Sequence, residues 1–417
     1  MAHRSHVASI PLPDTNQSVW ALSVIQLAGW MSLPAVATSI LLLQHNSFWG
    51  AVLTIIVGNA ILWFIRLGLL AMSRGRQSTL DIARAYLGDF GSYFIAALLL
   101  VATLAWFIAQ TSIASTALSH LISIRESAQV DQRAQISVAV GLISAFLCME
   151  GIVLLRRLAT ILFPLILAAF FASLWLLPEA FGNLPDPPLS LSGLTLVLAT
   201  NLGIASDLPT FFRHSGSWTT SLKALTLIQL ITIVLSCISL YFGVLFLDGF
   251  EMNAPFLLAP SSEPLRLALI AFIFFSVICA NVANVYSASV GWEVLAPAAL
   301  VGRKEYLILG LGLMLIFILV EDLFSTELFV ELADFSLVNL CFVLAIGYLV
   351  ARYVKNPPSA FLQGGYFMAW LLASMGNMVQ RGCEIGGSPI MWSLMVVLVV
   401  MGIGVVGEQV LKGRSSL

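Results

Sequence analysis

In this chain of 417 residues, 59% are hydrophobic and only 10% are charged, which excludes a soluble globular protein, where about 25% are charged. With a mean hydropathy of +0.99 it reads as a polytopic membrane protein. The net charge of −2, without any basic tract, offers nothing for nucleic acid to bind, and the five scattered cysteines form no CxxC or His/Cys cluster that would signal a metal site or a disulfide framework.

Twelve spans are expected, roughly at 18–43, 48–72, 93–121, 134–155, 158–177, 191–212, 222–247, 265–296, 306–320, 333–351, 363–380 and 389–411. This makes an all-α integral membrane protein with one domain at 18–411, flanked by cytoplasmic tails at 1–17 and 412–417. The tail at 1–17 is polar, so the first span acts as an uncleaved insertion signal. If the N-terminus is cytoplasmic, 15 Lys and Arg lie inside, Arg66 among them near the inner end of span two, against 4 outside. That bias sets the orientation in the cytoplasmic membrane with both termini inside.

The first span is uncharged and long enough to cross a bilayer, for which about 20 apolar residues suffice. It is a poor continuous helix, because Gly29, Trp30 and Ser32 precede Pro34, which has no N–H to bond back to residue 30. Unpartnered backbone in lipid costs several kcal/mol, so such a break survives where it is buried in protein or lines a wet cavity. The alternative is a proline kink without function.

The loop at 74–92 is patterned, with Ser78 or Thr79 suited to cap a short helix at 80–87 and Gly88 to end it. Span three places Trp106 and Gln110 one turn apart on one face. A flat apolar plate beside an amide that both donates and accepts suits a planar heterocycle. A structural Trp with a helix–helix hydrogen bond is the plainer alternative.

Span four and span five meet near Glu150, Arg156 and Arg157, which read as an inner salt-bridge cluster, as do Glu293 and Arg303. Span six gathers Thr200, Asn201, Gly203, Ser206, Asp207 and Pro209 within ten positions, a second irregular helix. It runs outside to inside and the first span inside to outside, as two repeats of opposite orientation at 18–177 and 191–351 would require, with two added helices at 363–411. Two Gly/Pro-interrupted spans at corresponding positions are the best sequence pointer to a transport site.

Span eight carries Asn281 and Asn284, with Ser276, Ser287 and Ser289 nearby. Two amides this close fit either a polar cavity or glue between helices. Asp207, ahead of Arg213, is the leading intramembrane acid, for a salt bridge, a gate or a proton-linked role. The acids Glu321, Asp322, Glu327, Glu331 and Asp334 read as a solvated external loop.

Several stretches together resemble the cytosine/purine/uracil/allantoin permeases, the nucleobase–cation symporters. Residues 77–93, QSTLDIARAYLGDFGSY, look like that family's loop after span two. Trp106 and Gln110 look like its stacking Trp and following Gln, and 151–164, GIVLLRRLATILFP, like the start of its span five. Asp207 to Arg213 is similar to the motif ending its span six, and 281–287, NVANVYS, to its Asn-rich span eight.

The resemblance implies a LeuT-like inverted-repeat fold and import of a planar nitrogen heterocycle by alternating access. It implies a substrate site of Gln26, Gly29, Trp30, Trp106, Gln110, Asn201, Gly203, Asn281 and Asn284, with Asp207, Arg213, Ser276, Cys279 and Ala280 as gate or coupling positions. No cofactor is implied beyond a coupled Na⁺ or H⁺. Sodium-binding members carry hydroxyl side chains where this chain has Cys279 and Ala280, which are poor ligands for a hard cation that prefers oxygen. Ser276 is placed to compensate; otherwise the coupling ion is a proton or uptake is facilitated without coupling. The pocket should be lined by amides rather than charges and take a neutral ligand.

Three other classes stand beside this reading. An amino-acid permease of the same fold would hold a carboxylate at the helix N-termini of the breaks, leaving the Trp–Gln pair unexplained. A membrane enzyme would need a constellation that His3, His6, His45, His120 and His214, all in loops or at span ends, do not make. A sensor descended from a transporter would bind without transporting.

Overall fold

A computed structural model describes residues 16–73, 77–122, 129–148, 151–177, 191–246, 262–295, 308, 312, 316, 326–354, 356–383 and 388–415. The helices are α1 (Val19–Trp30), α2 (Leu33–His45), α3 (Phe48–Met72), α4 (Thr79–Ile122), α5 (Gln129–Cys148), α6 (Ile152–Leu176) and α7 (Leu191–Ala205). They continue as α8 (Leu208–Phe212), α9 (Trp218–Phe246), α10 (Glu263–Leu295), α11 (Thr326–Val354), α12 (Ala360–Gly382) and α13 (Pro389–Ser415). Among the described residues, seven helices are long and apolar enough to cross a membrane, or eight if the bent pair α1–α2 is one span. The protein is therefore multi-pass. The expected ninth span at 306–320 falls almost entirely outside the described residues, as do Glu150 and Arg303.

The first span breaks where the sequence is least helical. Ser18 caps α1, its Oγ accepting from the Ala21 N–H at 3.2 Å. After Trp30 the chain leaves helical geometry at Met31 (ψ 74°), and α2 restarts from Ser32 at a bend of 70°. Pro34 falls in the first turn of α2, where the missing N–H costs nothing. The Ser32 N–H and hydroxyl both turn back to the Trp30 carbonyl, at 2.8 and 3.4 Å, so the break keeps a partner for that group.

The second break separates α7 from α8. The Ser206 N–H bonds the Leu202 carbonyl and its Oγ the Gly203 carbonyl, at 3.2 and 2.7 Å, and Asp207 leads into α8.

The short helix expected at 80–87 is present as the first part of α4. Ser78 and Asp81 cap it reciprocally: the Ser78 N–H donates to the Asp81 carboxylate at 2.8 Å, and the Asp81 N–H to Ser78 Oγ at 3.2 Å. Gly88 ends it at φ 75°, ψ 177°, which glycine adopts without a Cβ penalty, and the spanning part of α4 follows.

The start of span five differs from expectation. Span five was placed at 158–177, yet α6 starts at Ile152, so Arg156 and Arg157 lie on the helix rather than in a loop. The cause is Gly151, whose φ of 67° caps α6 directly and shortens the turn from α5.

Helix α10 is the hub, packing on α4, α6, α5 and α1. It runs close to α4 at Gly291, where a Cβ would lie 3.0 Å from the Ala96 carbonyl oxygen. Helices α2 and α9 pack together, and α12 pairs with α13 beside α11.

Candidate functional site

The two breaks open onto one cavity lined by α1, α2, α3, α4, α7, α8, α9, α10 and α11. Its volume of about 160 Å³ is some ten times what a single buried water requires, about 10–15 Å³. That is room for a small organic molecule. The helix ends explain the opening: where a helix stops mid-bundle, its side chains stop filling the centre.

Of the fourteen positions expected to bind substrate, gate or couple, ten line this cavity: Gln26, Gly29 and Trp30 on α1, Trp106 and Gln110 on α4, Asn201 and Gly203 on α7, Asp207 after it, and Ala280 and Asn284 on α10. Gln110 and Asn284 bond across the helix interface, Asn284 Nδ2 donating to Gln110 Oε1 at 3.2 Å. The pair still offers an amide N–H₂ and an amide carbonyl with a free lone pair.

Asn281 does not face the cavity. It is fully buried against α4, its Nδ2 donating to Thr111 Oγ1 at 2.8 Å. Three residues along a helix turn the side chain by about 60°. That rotation makes Asn281 glue between α4 and α10 and leaves Asn284 at the cavity wall. Ser276 donates to the Ile273 carbonyl of its own helix at 3.1 Å, is buried and does not line the cavity. Cys279 is buried and does not line the cavity either.

The expectation of an uncharged lining is corrected by Asp334. Taken from the sequence as part of a solvated acidic loop, it sits instead on α11 at the cavity wall. The Trp106 indole N–H donates to its Oδ1 at 2.7 Å. Its carboxylate lies over Gly203, where a Cβ would come within 3.1 Å of Oδ1. Glycine at 203 therefore makes room for the carboxylate, and the carboxylate fixes the tilt of the Trp106 plate. The helix begins at Thr326, seven residues before the expected start of the span, so the acidic run from Glu327 to Asp334 lies on it rather than in a loop.

Asp207 is the second carboxylate, held by hydroxyls at the second break. Ser287 Oγ on α10 donates to Oδ2. Thr79, first residue of the short capped helix, has its Oγ1 2.9 Å from the Ser206 carbonyl oxygen and 3.4 Å from Asp207 Oδ1, and it accepts from Thr210 Oγ1 at 3.1 Å. Three elements thus meet at this carboxylate: the loop helix, the broken span and α10. Arg213 lies near enough to act on Asp207 electrostatically, while its Nη2 is 3.5 Å from the Tyr286 hydroxyl. His214 Nε2 lies 3.1 Å from that same hydroxyl, and its carbonyl accepts from the Gln17 N–H at 3.0 Å.

A further polar cluster escaped the sequence reading. Arg66, counted there among inner-face charges, is buried in the bundle. Its Nη1 donates to Gln229 Oε1 at 3.0 Å and its Nη2 to the Asn201 carbonyl at 3.3 Å, while Gln229 Nε2 donates to Asn59. Arg66 is thus a brace that ties α3 and α9 to α7, one residue behind the cavity wall. Its charge in an otherwise apolar helix was the available signal.

No family model matches the chain, and no curated protein matches it in sequence. Solved structures do match. The chain is similar to Mhp1, a nucleobase-cation-symport-1 family transporter seen closed with bromovinylhydantoin bound, at TM-score 0.69 and 14% identity over 94% of this chain and 93% of that one. It is similar to a Na⁺-coupled sialic acid symporter in a substrate-bound outward-open state, at TM-score 0.71 and 12% identity over 94% and 90%. A manganese transporter of Eremococcus coleocola matches at TM-score 0.54 and 14% identity over 93% of each chain. The fold is the LeuT-like one expected from the sequence, with broken first and sixth spans.

Proposed function

We propose that the protein is a secondary transporter of the nucleobase–cation symporter type, importing a nucleobase or a related planar nitrogen heterocycle by alternating access. The observation that carries this reading is the cavity at two helix breaks, where Trp106 offers a plate and the Gln110–Asn284 pair offers an amide edge. Stacking on an aromatic ring is worth about 1–3 kcal/mol per base and tolerates any base. The amides then set specificity, because a buried polar group left unpaired by the wrong ligand costs about 1–3 kcal/mol. That proteins of this fold include a nucleobase-cation-symport-1 transporter adds support.

Coupling is to a cation or a proton. The side chains of Cys279 and Ala280 carry no oxygen, and Ser276 does not line the cavity, so Asp207 is the group proposed to carry a proton. Its bonds to Ser287 and Thr79 tie its charge to the contact between the broken span and the short inner helix. The distribution of Lys and Arg supports the cytoplasmic membrane with both termini inside.

The test is thermal stabilisation of the detergent-purified protein by bases, hydantoins, vitamins and amino acids, in sodium and in potassium, repeated on Trp106→Ala. A ligand that binds the folded state alone raises the melting temperature by mass action. A shift from one heterocycle that Trp106→Ala abolishes supports the site. A shift from amino acids alone overturns it.

A further inference from the structure

From the charge and donor pattern of the cavity, we infer that Asp334 selects heterocycles with an amidine edge, an amino group beside a ring nitrogen, over heterocycles with an imide edge. The inference rests on the proposed heterocycle site and deepens it to a substrate class.

The described lining contains two carboxylates, Asp207 and Asp334, and no Lys, Arg or His. Arg66, a buried cation, lies behind Asn201 and gives its Nη donors to Gln229 and to the Asn201 carbonyl. Asp207 is already engaged by hydroxyls from Ser287 and Thr79. Asp334 differs: the Trp106 N–H at Oδ1 is the one hydrogen bond the structure gives its carboxylate among the described residues. An ionised carboxylate has about four lone-pair sites. Capacity therefore remains at the edge of the plate on which a ring would lie.

An ionised carboxylate only accepts. An amidine edge pairs with the carboxyl through two parallel hydrogen bonds, its amino N–H donating to one oxygen and one proton shared between the ring nitrogen and the other oxygen, a charge-assisted fork of the kind that Arg makes with carboxylates. An imide edge places a carbonyl oxygen on each side of its N–H, and these oxygens face the carboxylate unfavourably. Gln110 and Asn284, on α4 and α10, are left for the remaining polar edge of the ring. Gly203 belongs to the same device, because a side chain there would meet the Asp334 carboxylate.

The experiment is competition against a bound radiolabelled heterocycle by two panels, cytosine with 2-aminopyrimidine and 4-aminopyrimidine, and uracil with hydantoin and thymine. It is run on native protein and on Asp334→Asn. The Asn variant keeps a side-chain oxygen for the Trp106 N–H, so the plate stays placed and folding is spared. The native protein should prefer the amino panel by at least about tenfold, the loss typical of one charge-assisted hydrogen bond, and Asp334→Asn should reduce that preference to within about threefold. Equal affinity for both panels in native protein, or a preference that survives Asp334→Asn, overturns the inference while leaving the heterocycle site in place. A native preference for imides that Asp334→Asn removes also overturns it, because the carboxyl would then be a donor. If neither panel binds and amino acids do, the site reading itself fails. Trp106→Ala supplies the control, since it should weaken both panels alike.

Discussion

Replacing Trp106 separates the two jobs that the structure gives its indole. The ring is a plate at the cavity wall, and its N–H holds Asp334 at 2.7 Å. Trp106→Phe keeps most of the plate and deletes the N–H, whereas Trp106→Ala deletes both. Loss of stacking should cost about 1–3 kcal/mol, a rise in Kd of about five- to 150-fold at 1.4 kcal/mol per tenfold. Loss of a hydrogen bond to a charged group should cost the fold up to about 1.5–3 kcal/mol in both variants, read as a lower melting temperature without ligand. The assay is equilibrium binding of a radiolabelled base to purified protein, beside the melting curve of each variant. The expected pattern is a stability loss shared by Phe and Ala, with the large affinity loss confined to Ala. Native Kd in Trp106→Ala would refute the stacking site. A Phe variant as weak as the Ala variant would mean that the N–H, and not the plate, carries the binding.

Other expectations follow from neighbouring contacts. Gly291→Val drives a side chain into the Ala96 carbonyl and should destabilise the α4–α10 contact by about 1–3 kcal/mol, whereas Gly376, with open space around its missing Cβ, should accept Val without that packing penalty, as paired melting curves would record. Asp207→Asn replaces a charge-assisted acceptor of the Ser287 hydroxyl by a neutral one, so uptake should fall about tenfold with the Kd for substrate changed by less than about threefold; equal losses in both would make Asp207 a binding residue instead. Because Ser276 does not line the cavity, exchanging sodium for potassium should leave the substrate-induced melting shift unchanged, and a shift seen in sodium alone would restore a sodium site.

Much of this arrangement was legible in the chain because it depends on local chemistry. Both breaks sit at Gly, Ser and Pro clusters, Gly88 ends its helix, Ser78 caps it, and Trp106 and Gln110 share a face by spacing alone. What escaped depends on rotation and on helix ends. Asn281 and Asn284 are indistinguishable until the roll of α10 is fixed, and that roll is set by Thr111 and Gln110 on α4. Asp334 reads as loop or as cavity wall according to where α11 begins, and an acidic run gives no periodic signal for that start. Arg66 counts as an interfacial charge until Gln229 and Asn201, 163 and 135 residues away along the chain, arrive beside it.

The central claim is that the cavity at the two breaks moves a heterocycle across the membrane. Solute counterflow in proteoliposomes tests this most directly. Vesicles loaded with an unlabelled amino-heterocycle are diluted into the labelled compound, with native protein and with Trp106→Ala. The account predicts a transient overshoot of label inside vesicles with native protein and none with Trp106→Ala. Binding without any overshoot in the native protein, or an equal overshoot in the variant, would contradict it.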